Sequence, residues 1–146
     1  MTKNLSIVFG FFLFFSSAVA ISQEQAGLRY WEGIDKEAIE TESGLQYKIM
    51  IEGNGRKPIV RNKVNVHYRG MLLNGSVFDS SYSSDEPVSF GLKRVIKGWT
   101  EGIQLMPEGS VFVFLIPPEL AYGEKGAGVI PPNATLIFEV ELFGFK

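Results

Sequence analysis

The sequence predicts an α+β domain, an antiparallel β-sheet wrapped around one short α-helix. Three observations point there. Residues 44–146 carry repeated apolar–polar alternation, the period of half-buried strands. Glycine, asparagine and proline punctuate those runs at short intervals, as tight connections between antiparallel neighbours require. Only one stretch of this body repeats its apolar residues at helical spacing.

The first element lies outside that body. Lys3 is followed by an apolar run, Ile7 to Phe15, broken only by Gly10, and then by Ser16-Ser17-Ala18-Val19-Ala20. A basic start, an apolar middle and an A-x-A ending form the layout of a secretory signal peptide, residues 1–20, cut after Ala20. The competing reading is an uncleaved membrane anchor. The run Leu5–Ala20 falls short of the ~20 apolar residues that a bilayer-spanning helix needs, which favours cleavage. Residues 21–43 are polar and acidic, with Leu28, Trp31 and Ile34 spaced as one face of a short helix. They read as an N-terminal extension of a domain covering 44–146.

Within the body, Leu45 to Ile49 alternates and is closed by Gly53-Asn54-Gly55. Val64, Val66 and Tyr68 alternate with Asn65, His67 and Arg69 as a second strand. Asn74-Gly75 between two apolar runs marks a hairpin with positive φ expected at both positions. Val95, Trp99, Ile103 and Met106 are four, four and three apart, which predicts the helix over 95–105, stopped by Pro107 and Gly109. Val111 to Ile116 is apolar on both faces, and Leu136, Phe138, Val140 and Leu142 set the inward phase of a last strand.

Composition excludes several functions. There are 14 basic against 16 acidic residues and no basic stripe, so nucleic acid is not an expected partner. With no cysteine, thiol catalysis and disulfides are ruled out. His67 is the only histidine, so no histidine-based metal site or catalytic triad can be built, and its phase in the strand places it at the surface. The glycine-rich run 123–128 lacks the G-K-[ST] ending of a phosphate loop.

Four segments in register carry more than any one of them. SGLQY (43–47), VHYRGMLLNGSVFDSS (66–81), VSFGLKRVIKGWTEGIQLM (88–106) and IPPELAYGEKGAGVIPPNATLIFEVEL (116–142) occur in that order. Together they closely resemble the FKBP-type peptidyl-prolyl cis/trans isomerases, in their bacterial exported branch. The resemblance implies an enzyme that speeds rotation about X–Pro bonds during the folding of exported, periplasmic proteins. It implies no cofactor and no metal, proline-containing polypeptides as clients, and macrolides as inhibitors. The short extension cannot hold the long dimerising arm of some relatives, so a monomer is expected. A catalytically weak chaperone or docking module of the same fold is the alternative.

Site residues follow from the matching motifs. The resemblance makes Tyr68, Asp79, Trp99 and Tyr122 catalytic, with Phe78, Val88, Val95, Ile96, Val129, Ile130 and Phe138 binding substrate. The Ile96 N–H and the Tyr122 hydroxyl would hold substrate carbonyls. On pattern alone Trp99, Phe78, Val95 and Phe138 read as core, Tyr68 as a sheet tyrosine, and Asp79 as the start of a turn. The chain departs from the family pattern at Val88, where a phenylalanine is common, and at Ser84, where an arginine can pair with the aspartate. Its loop before Val129 is also short. Such changes bear on substrate preference and macrolide affinity.

Matching the family phase puts Phe112, Phe114 and Ile116 inward and leaves Val111, Val113 and Leu115 as an outward apolar row. Such a row marks a covered surface. The extension around Leu28 and Trp31, or a partner, is expected to cover it.

Overall fold

The computed structural model describes residues 25–146, so the expected signal segment lies outside the described residues. Seven strands form one sheet: β1 (Ile39–Glu40), β2 (Gln46–Ile51), β3 (Lys63–Leu72), β4 (Val77–Ser80), β5 (Val88–Gly91), β6 (Val111–Ile116) and β7 (Leu136–Phe145). Among the described residues two α-helices accompany them, α1 (Ala26–Gly33) and α2 (Lys97–Ile103). The strand order is β1-β2-β6-β7-β3-β4, with β5 also on β3, and every pairing is antiparallel. The last strand, β7, is therefore central, bonded to β6 on one side and β3 on the other.

β3 shares its outer edge between two partners. β5 pairs with Lys63 to Val66 and β4 with Arg69 to Met71. Between them the Tyr68 N–H donates to Ser81 Oγ (2.7 Å) and the Ser81 N–H donates to the Tyr68 carbonyl (2.9 Å). A buried serine thus satisfies the ladder where no strand does.

α2 packs on the concave face. It begins two residues later than its apolar spacing predicts, because Val95 and Ile96 remain extended (ψ 173° and 152°). A 3₁₀ turn at Leu92–Arg94 precedes them, burying Leu92, and Thr100 Oγ1 donates to the Leu92 carbonyl at 2.7 Å, fixing this approach. The helix ends at Ile103 because the next bonds, Leu105 to Gly102 and Met106 to Ile103, have tightened to i→i−3 spacing, which still leaves Met106 buried. Cβ atoms on Gly98 and Gly102 would lie 2.6 Å from Ile116 and Phe114, so both glycines let α2 sit directly on β6.

The hairpin between β3 and β4 corrects another expectation. Gly75 has φ 87°, but Asn74 is not in the left-handed region. Asn74 Oδ1 instead accepts from the Ser76 N–H (2.9 Å), and Gly75 donates to the Leu72 carbonyl (2.9 Å). The result is a three-residue loop with an adjacent register shift between Gly70 and Met71.

The sheet buries both faces. On one side Phe112, Phe114, Ile116, Val140 and Leu142 meet α2. On the other, Met71, Val113 and Ile137 form a second cluster with Trp31, flanked by Leu28, Ile34 and Leu115. Of the outward row, Val113 and Leu115 are thus covered by the chain's own extension, while Val111 lies outside this cluster. The Gly27 and Leu28 N–H groups both donate to the Leu73 carbonyl (2.8 and 3.1 Å), tying α1 to the hairpin. Two residues of the extension, Ile39 and Glu40, add β1 to the sheet edge against Tyr47 and Gln46, which alternation over so short a run does not announce.

Candidate functional site

α2 covers its face of the sheet over β6, but between α2, β3 and β5 a cavity of about 400 Å³ opens. Its walls are Tyr68, Phe78, Asp79, Phe90, Arg94, Val95, Ile96, Trp99, Tyr122 and Phe138. Four strands, the segment leading into α2, α2 itself and the loop at Tyr122 supply these side chains, each for a local reason. Tyr68 and Phe138 take the inward phases of β3 and β7. Phe78 and Asp79 are neighbours on β4, Val95 and Ile96 form the extended lead into α2, and Trp99 is on its first turn.

Trp99 is 4% exposed and lies under a box of rings. Tyr68, Phe90 and Phe138 meet it edge to face, with centroids at 5.1, 5.5 and 5.3 Å. Phe78 stands edge-on to Phe138 at 5.5 Å. Edge-to-face packing is the favoured arrangement of aromatic quadrupoles, so the box holds its shape unaided. The buried Trp99 Nε1 has no hydrogen-bond partner among the described residues.

Polar groups stand at the rim. The Tyr68 hydroxyl donates to Asp79 Oδ2 at 2.7 Å. Burial pushes the Tyr68 phenol well above its ordinary value, and the hydrogen bond to Asp79, that carboxylate's charge and nearby Tyr122 push the same way. Tyr68 is therefore a neutral donor throughout the physiological range. Tyr122 is 39% exposed at the head of a 3₁₀ turn, Gly123–Lys125.

Eight of the eleven sequence-selected residues meet here, and three do not. Val88 pairs with Val66 and points to the same side of β5 as Phe90, but its shorter side chain forms no wall. Val129 is 76% exposed and Ile130 is buried in the core, because Ala127 and Ile130 exchange backbone hydrogen bonds (3.0 and 2.8 Å). That tight bridge throws Val129 to solvent at the tip and turns Ile130 inward. The glycine-rich run is thus a 3₁₀ turn, Gly123–Lys125, that leads into a tight bridge between Ala127 and Ile130.

Phe90 and Arg94 were missed. Phe90 could have been found from the two-residue period of β5, whereas nothing in pattern marks Arg94. Ser81 braces the Tyr68 backbone and meets His67 Nδ1 at 2.9 Å. His67 takes the outward phase of β3, half-covered by Tyr82, on which it stacks at 4.9 Å.

Comparison with known proteins gives the same frame. Residues 54–143 match the family model of the FKBP-type peptidyl-prolyl cis-trans isomerases. The chain is 50% identical over 129 residues to the FKBP-type peptidyl-prolyl cis-trans isomerase FkpA of Aeromonas hydrophila, covering 87% of this chain and 48% of that protein. It is also 50% identical over 105 residues to the peptidyl-prolyl cis-trans isomerase Mip of Coxiella burnetii, covering 71% and 46%. The chain thus spans about half the length of these curated relatives. Among solved structures, FkpA from Escherichia coli superposes with a TM-score of 0.74 at 37% identity, covering 99% of this chain and 74% of that one. AtFKBP13 gives 0.70 at 39% identity, covering 75% and 99%. By sequence and by fold, the chain belongs to the FKBP-type peptidyl-prolyl cis-trans isomerases.

Proposed function

We propose that the chain catalyses cis/trans rotation about X–Pro bonds of polypeptides, using the aromatic cavity as its site. The observation that carries this is Trp99, almost fully buried by protein and yet a wall of the cavity. An indole surrounded edge-on by Tyr68, Phe90 and Phe138 offers a flat apolar floor of the kind a pyrrolidine ring can lie on.

The chemistry follows from the amide. Resonance gives C–N partial double-bond character and a barrier of roughly 18–20 kcal/mol. Water stabilises the planar form through its polarised carbonyl, and that polarisation is lost as the bond twists. A dry aromatic site withdraws the solvation of the planar form and binds the twisted one, so it lowers the barrier by differential binding. Val95, Ile96, Phe78 and Phe138 supply the apolar walls. The Ile96 N–H and the Tyr122 hydroxyl anchor neighbouring carbonyls, and the Tyr68–Asp79 pair holds the carboxylate at the edge of the ring. Rotation of this kind makes and breaks no covalent bond.

The proposal extends to location and partners. The leader is removed after Ala20, the enzyme acts on exported, periplasmic chains as a monomer, and macrolides compete for the same cavity. Mass analysis of the exported product tests the cleavage. The central test is a proline-peptide isomerisation assay on the chain, with Tyr122→Phe beside it. Acceleration is expected, and weaker acceleration in the variant; no rate above buffer would reject the enzyme reading.

A further inference from the structure

A second cavity, of about 470 Å³, adjoins the aromatic one and shares Phe90, Arg94 and Val95 with it. Its remaining character is different. Arg61, Lys63, Lys93 and Arg94 line it, with no aspartate or glutamate among its walls within the described residues, in a chain whose formal net charge is −2. All four cations are exposed, and none forms a salt bridge among the described residues, where the ion pair present is Arg69–Glu139.

The walls are preformed. β3 and β5 pair through Lys63↔Gly91 and Val64↔Phe90, and the Leu92 N–H donates to the Asn62 carbonyl at 3.1 Å. Asn62 Oδ1 in turn accepts from the Ile59 N–H at 2.7 Å. The backbones that carry the four charges are therefore held together, and their like charges add into one positive field at the mouth of the cavity.

We propose that this cleft binds acidic residues of the substrate polypeptide, so that the enzyme prefers prolyl bonds with aspartate or glutamate a few positions away. The inference rests on the isomerase reading and names its substrate class. An extended chain advances about 3.4 Å per residue, so three residues beyond the proline reach roughly 10 Å from the Trp99 floor. The shared wall at Arg94 makes the path continuous. A peptide fits better than a nucleic acid, since Phe90 is the only ring in the cleft and it already packs on Tyr68 and Trp99.

Two peptides with the same X–Pro core, flanked by glutamates or by glutamines, decide the matter. At low ionic strength kcat/KM should favour the acidic peptide on the order of tenfold, and high salt should erase the difference. Combining Arg61→Gln, Lys63→Gln and Lys93→Gln should bring the ratio to one, with turnover of the neutral peptide reporting an intact pocket. Should that variant fail to fold, the salt titration of the unaltered chain still decides. Equal rates at low salt, or a preference that survives the triple variant, would overturn the proposal. Fluorescence anisotropy of the labelled peptides reads the cleft separately from catalysis. If neither peptide is turned over, the isomerase reading fails and the cleft stands or falls on tighter binding of the acidic peptide. A single-stranded oligonucleotide that binds as tightly as the acidic peptide would also overturn it, in favour of a general polyanion surface.

Discussion

The two tryptophans sit on opposite faces of the same sheet at nearly equal burial, 4% for Trp99 and 6% for Trp31, yet only one borders open space. Trp31 is sealed. The Lys48 ammonium lies 4.7 Å from its ring centroid and donates to the carbonyls of Trp31 and Ile34 (2.9 and 3.1 Å). Met71, Val113 and Ile137 close the rest. Trp99 is enclosed by rings at its edges and leaves a cavity between them. Burial alone therefore does not separate a core residue from a site residue; the shape of what surrounds the side chain does.

The contrast breaks most sharply on Trp99→Ala. Isomerase kcat/KM should fall on the order of a hundredfold, because the floor that orients the proline is gone. Activity close to that of the unaltered chain would remove Trp99 from the site. Trp31→Ala should do the reverse. It should cost about 3–4 kcal/mol in denaturant unfolding and raise hydrophobic-dye binding, while the folded fraction turns over peptide at an unchanged rate. A large loss of rate would mean that the outer face communicates with the cavity. Tyr68→Phe removes the hydroxyl bound to Asp79 and should cost about 1–2 kcal/mol, with a measurable loss of rate as the carboxylate loses its tether. A loss of stability without a loss of rate would make that pair structural.

The smallest effect separates the faces by pH. Burial, then the hydrogen bond to Glu139, pushes the Tyr30 phenol from 10.0 up to about 12. The folded state favours the neutral phenol, so its contribution is complete below pH 10 and is lost as pH rises from 10 towards 12. Tyr30→Phe should flatten that part of the stability curve in alkaline unfolding. An unchanged slope would assign it to other groups.

Much of this was legible in the sequence where one residue's phase decides its environment. Val64, Val66 and Tyr68 alternate inward in β3, and Phe112, Phe114 and Ile116 do so in β6. The outward row on β6 stood out once the family phase was applied, with the extension or a partner expected over it, and it is the extension, through Leu28 and Trp31, that packs on Val113 and Leu115. The order of the four motifs brought most of the cavity residues together, including Asp79 and Tyr122, which pattern alone leaves as turn and loop residues. What failed depended on loop geometry. Helical spacing absorbed Val95 and Ile96 although a preceding 3₁₀ turn holds them extended. Val129 and Ile130 were assigned together although a two-residue hairpin sends them opposite ways. Arg94 joins the cavity only through the turn that carries it, a tertiary fact with no periodic signature.

The place of β7 has a consequence for how the chain is born. Its first residue, Leu136, comes after every other strand has been made, yet β7 is what joins the β1-β2-β6 half of the sheet to the β3-β4 half. Until it arrives, β6 and β3 each present a long unpaired edge and the apolar faces have no common sheet to close on. The nascent polypeptide therefore cannot lock into its native topology before Leu136–Phe145 is free to pair. Closure of the sheet is thereby a late step built on contacts between segments far apart in sequence, the kind that forms slowly.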